Sequence, residues 1–254
     1  MTGSSTARDR SRKVVFSDSM LMNRVTREAQ VAAESFDALS VEAVGHLEEM
    51  YTRAAGLVCL GFGDVNLSDD ELRHVCAIVL TNALKSLTGS FALLRTGWRL
   101  QPYQCLRNGM EAISVVLHLL QTPADLVKIK AGELESQKTI RAAKNAIPPI
   151  GKLYGSLSQE FVHIGKPFLH VQQGNIYSAS EWEMWQCLAG IAGFAHMVYL
   201  VAELLVFDRV AEPKCWRQDQ SGGFVIEWSE EMKRWRSEFG RIYGPHHKEA
   251  LASE

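Results

Sequence analysis

Residues 187–207, CLAGIAGFAHMVYLVAELLVF, form an almost unbroken apolar run. A helix that is apolar on every side must be surrounded, either by protein or by lipid. The run is close to the roughly 20 residues that cross a bilayer. His196 and Glu203 decide between the two surroundings, because each would be expensive at the bilayer centre. No second run of this kind stands out, so the reading is the central helix of a bundle, with no membrane as a partner. With 46% hydrophobic residues in 254, the chain has enough apolar material to build the surrounding core.

A second helix, residues 105–120 (CLRNGMEAISVVLHLL), is also apolar except along one narrow line. Arg107, Glu111, Ser114 and His118 fall at i, i+4, i+7 and i+11, within about 60° of one another on a helical projection. On the 187–207 helix, His196, Tyr199 and Glu203 follow at i, i+3 and i+7. Were the two helices neighbours, these lines would face each other and enclose a polar pocket. The alternative is a satisfied structural network in which Arg107 pairs with Glu111 and nothing reacts.

Helix signals extend along nearly the whole chain. One helix is expected over 19–38 and another from Ser40 to about residue 60, broken by Gly61 and Gly63. Ser68, followed by Asp69, Asp70 and Glu71, reads as an N-cap with carboxylates at the positive end of a long helix that ends near Gly97 and Trp98. Pro102 and Pro123 open the next two helices. The second of these, 126–146, is polar enough to lie outside the bundle, and Pro148 and Pro149 end it. A shorter helix over 150–164 and one C-terminal helix over about 228–243 complete the set. Gly174-Asn175 marks a short hairpin or ordered loop near 168–180. The fold class is therefore all-α, a single multi-helix bundle over 19–243 between a basic tail (1–18) and a C-terminal tail (244–254), both expected to be disordered.

The formal charge of -2 gives no bulk attraction to polyanions. Five cysteines without a CxxC pair read as reduced core thiols of a cytoplasmic protein. A two-metal carboxylate site would need Glu-x-x-His on facing helices, and Glu111 and His118 lie two turns, about 10 Å, apart. No phosphate-cradling glycine loop or hydrolase triad is present, and neither metal nor cofactor is expected. Lys138, Arg141 and Lys144 step by three along one helix face and are the candidate nucleic-acid contacts; the bland reading is a solvated face.

The stretch 92–120 ends one helix at Gly97-Trp98 and carries Arg107-x-x-x-Glu111 on the next; Tyr154, Leu157, Ser158 and His163 follow. This pattern resembles a group of bacterial helical proteins of unknown function, similar to the broader HEPN class, many of which are dimeric ribonucleases of toxin and phage-defence systems. The HEPN motif places a histidine four to six positions after an arginine and a polar residue. The chain departs from it: after Arg107-Asn108 the next histidine is His118, and in Arg241 to His246 the intervening Gly244 and Pro245 break the helix. The resemblance implies a homodimer that binds or cleaves RNA. For a catalytic protein the expected roles are Arg107 stabilising a phosphate or other anion, Glu111 orienting it, and His163 or His118 as acid or base. Tyr154, Ser158, His196, Tyr199 and Glu203 are the candidate ligand-binding residues. The competing classes are a non-catalytic module that scaffolds a protein partner and a bundle that binds a small ligand.

Overall fold

The computed structural model describes residues 19–63, 71–147, 149–157 and 176–252. Within them the chain is an all-α bundle with one two-stranded hairpin. Helix α1 (Met20–Asn23) passes through a π-helical turn, Arg24–Glu28, into α2 (Ala29–Phe62). Then come α3 (Glu71–Arg95), α4 (Gln101–Gln121), a 3-10 turn (Pro123–Asp125), α5 (Leu126–Ala131), α6 (Ser136–Ala146) and α7 (Pro149–Ser156). Helix α8 (Trp182–Leu205), strands β1 (Trp216–Gln218) and β2 (Phe224–Ile226), and α9 (Glu230–Ala252) finish the order.

Helix α8 is the centre. It packs against α2, α3, α4 and α9, and 78% of its most apolar window is buried inside the fold. Length and composition alone would also let α3 cross a membrane, so the 187–207 run is not the single candidate span that its sequence suggests. The close approach of α4 to α8 depends on Gly109: a Cβ there would lie 2.4 Å from the ring of Phe194, which is fully buried.

Several boundaries differ from expectation for identifiable reasons. Ser40 does not cap a new helix; its hydroxyl donates back to the Phe36 carbonyl (2.7 Å), and α2 runs straight through. Helix α3 ends as expected at Gly97 (φ 89°), where Trp98 N–H reaches Leu93 O and Gly97 N–H reaches Leu94 O, a Schellman closure. The same device at Gly132 (φ 72°) divides the expected 126–146 helix into α5 and α6. Ser68 lies outside the described residues, as do residues 158–164 of the expected short helix and 168–175 of the expected hairpin.

The hairpin is found further on, with Trp216 opposite Ile226 and Gln218 opposite Phe224. Its turn is held by Asp219 Oδ1, which accepts from the backbone N–H groups of Ser221 (2.8 Å) and Gly223 (2.9 Å), while Gly222 takes φ 83°. Helix α9 does not stop at Tyr243 to leave a C-terminal tail. Its backbone continues to Ala252 with Pro245 inside, where the missing N–H costs one intrahelical bond without ending the helix. Of the cysteines, Cys76, Cys187 and Cys215 are buried thiols, Cys105 is half-buried and Cys59 is exposed.

Candidate functional site

Arg107 and Glu111 lie one turn apart on α4 and pair directly, Nη2 to Oε1 at 3.1 Å. Helix α7 brings Tyr154 against them. Its hydroxyl donates to Glu111 Oε1 (3.0 Å) and accepts from Arg107 Nη2 (3.1 Å), and the guanidinium carbon stands 5.5 Å from the ring centroid. The three residues thus form a closed polar triangle. The Arg107 and Glu111 side chains keep 34% and 30% of their surface exposed. Arg107, Glu111 and Tyr154 are the part of the expected site that the fold assembles; Ser158 and His163 lie outside the described residues.

Beside the triangle runs a polar groove of about 500 Å³ between α3, α4 and the start of α6, lined by Asn82, Lys85, Ser86, Asn108, Glu111 and Ser136 among others. Apart from Glu111 and Asn108, the polar residue that follows Arg107, none of these polar residues stands out in the sequence, because each is an ordinary surface residue of its own helix. Only the packing of α3 on α4 and of α4 on α6 brings them together.

His118 belongs to a different network. It is 3% exposed, and its Nε2 donates to Asp125 Oδ2 (2.8 Å) in the 3-10 turn. Lys128 (2.7 Å) and Lys138 (2.6 Å) donate to the same carboxylate. Their hydrogen bonds, Lys128 first, then Lys138 and His118, hold the Asp125 carboxyl well below the usual carboxylate range. This corrects two expectations. His118 is enclosed behind an ion-paired turn instead of serving the Arg107 triangle, and Lys138, though its side chain is 49% exposed, pairs with Asp125 instead of standing as a free cation. Arg141 and Lys144 remain exposed on α6, with the Lys144 stem lying across Gly151 of α7. Asp125 carried one legible signal, its i, i+3 spacing to Lys128.

The polar line on α8 also resolves into structure. Glu203 is fully buried and accepts from three backbone N–H groups, Lys214 (3.0 Å), Cys215 (2.7 Å) and Trp216 (3.1 Å), so it holds the loop that feeds β1. Tyr199 is buried beside it, and burial, then the Glu203 charge, push its hydroxyl pKa up. His196 turns toward α9, where it stacks on Trp235 (5.0 Å between centroids) and tilts against Trp228 (5.4 Å). The two polar lines therefore do not enclose one pocket. That of α4 faces α7 and the segment around Asp125, while that of α8 faces the hairpin and α9.

Among the described residues, no group of three His, Cys, Asp or Glu side chains is placed to hold a metal ion. The class defined by fold and site is an all-helical bundle with a half-exposed Arg-Tyr-Glu triangle at the edge of a polar groove. No protein-family model, curated protein or solved structure matches the chain.

Proposed function

We propose that this chain is a HEPN-like helical bundle that binds RNA, as a cytoplasmic homodimer in a toxin or phage-defence setting, through the groove between α3, α4 and α6. The observation that carries the reading is the half-exposed Arg107–Tyr154–Glu111 triangle bordering a groove with a lysine, two asparagines and two serines. Arg107 meets a backbone phosphate and Lys85 adds a second positive charge. The amide and hydroxyl groups hydrogen-bond ribose and base edges, as contacts to single-stranded RNA require. Binding is favoured over cleavage, because the one histidine of the expected acid–base set within the described residues, His118, is held by Asp125.

The test is binding of a labelled single-stranded RNA across a salt series, with RNA integrity followed in the same samples. Wild type should bind with a salt-dependent affinity and leave the RNA intact. Arg107→Ala and Lys85→Ala should each weaken binding about tenfold and each lower the salt slope by about one phosphate contact. Absence of RNA binding in wild type removes the proposal. Cleavage that is lost in both Arg107→Ala and His163→Ala replaces it with the ribonuclease reading.

A further inference from the structure

The faces where α8 and α9 meet leave a gap. Gly193 on α8 and Gly240 on α9 both border it, and a Cβ added to either would meet no atom within 4 Å. Gly240 is exposed and Gly193 half-buried, so the space opens to solvent at the seam of the two helices. The resulting pocket measures about 290 Å³ and is lined by Gly193, His196, Trp235, Arg236, Phe239 and Gly240. It shares no residue with the groove that borders the Arg107 triangle.

Its walls are aromatic. Trp235 and Phe239 stand one turn apart on α9 with ring centroids 5.7 Å apart, and His196 stacks on Trp235 from α8. His46 of α2 stacks on the same indole at 4.3 Å and donates to the Trp235 carbonyl (3.1 Å), so the wall is braced from a third helix. Among the polar side-chain atoms of this wall, His196 Nε2 is buried and has no hydrogen-bond partner among the described residues.

Its rim carries a cation. Elsewhere in the fold, several guanidinium groups that bridge elements meet carboxylates, among them Arg53 with Glu231, Arg73 with Asp208 and Arg99 with Glu181. Arg236 lies over the Trp228 ring at 4.5 Å instead, and no carboxylate of the described residues pairs with it. A pocket with aromatic walls and, at its rim, an exposed guanidinium that no carboxylate of the described residues pairs with has the complement of a flat aromatic ring bearing an anionic group.

We propose that this pocket is a second binding site, which takes a small planar aromatic carboxylate with its ring against Trp235 and Phe239 and its carboxylate on Arg236. At about 290 Å³ the pocket lies near the lower end of small-molecule sites and suits one ring with a short acidic arm.

The test is titration of the full chain with benzoate, followed by tryptophan fluorescence and by calorimetry, with benzyl alcohol as the uncharged counterpart. Benzoate should bind saturably with a dissociation constant of about 1 mM or below, and benzyl alcohol about tenfold more weakly. Arg236→Gln should weaken benzoate about tenfold and leave benzyl alcohol unchanged. Gly240→Leu fills the space from an exposed helix position and should abolish both, with the far-ultraviolet circular dichroism of wild type retained. The proposal is overturned if benzoate does not saturate, if both probes bind equally, or if a folded Gly240→Leu protein still binds.

Discussion

Acidification from pH 7.5 to 5 should cost the fold about 2 kcal/mol through one side chain, His196. Its imidazole is wedged between Trp228 and Trp235, with Nε2 unpartnered among the described residues and Arg236 nearby. Burial first, and then the Arg236 charge, disfavour the imidazolium and bring the pKa down from 6.5 to about 4. Because the folded value is the lower one, the unfolded chain takes the proton first. Stability is therefore complete above about pH 6.5, falls as pH drops toward about 4, and stops falling below it. The whole interval corresponds to about 3 kcal/mol, of which about 2 kcal/mol is spent by pH 5. Several carboxylates, including Asp37, Asp125 and Glu231, have lowered pKa values from their basic partners, but their stabilisation is lost only below the ordinary carboxylate range near pH 4. The two windows can be resolved. Urea unfolding at pH 7.5, 6 and 5, compared with His196→Phe, measures the effect: the variant should lose most of the wild-type slope across that interval. A wild-type stability that is flat over this range, or a variant with the same slope, would refute the reasoning.

Glu203→Ala leaves three backbone N–H groups without their acceptor in and beside the core, and should cost about 3–5 kcal/mol in urea unfolding, with Glu203→Gln costing less. Gly109→Ala should also destabilise, by about 1–3 kcal/mol, since the new methyl meets the buried Phe194 ring. Helix propensity alone favours alanine by up to ~1 kcal/mol, so a loss of any size reports the contact between α4 and α8. Tyr154→Phe removes the hydroxyl that bridges Arg107 and Glu111, while their direct pair at 3.1 Å remains. Thermal unfolding should then shift by less than about 1 kcal/mol, and RNA binding should fall in the same protein.

The helices were legible because apolar periodicity is written into each of them separately. The run around residues 187–207 announced α8 as the buried centre, and Pro102 and Gly97 marked the ends of their helices where the chain uses them. What periodicity does not carry is the destination of a polar side chain that leaves its own helix. The α4 line was read as one feature, yet Arg107 and Glu111 meet Tyr154 on α7, Ser114 bonds back to the Met110 carbonyl, and His118 meets Asp125 in a 3-10 turn. On α8 the partner of Glu203 is backbone N–H, which every residue except proline possesses and which no side-chain pattern can flag. The distinction between network and site follows from the same fact. Where loop backbone or a buried carboxylate saturates a polar residue, as at Glu203 and His118, the residue is spent on holding the fold. Where saturation comes from half-exposed side chains able to exchange partners, as in the Arg107 triangle, or where a cation has no carboxylate among the described residues, as at Arg236, capacity is left for a ligand.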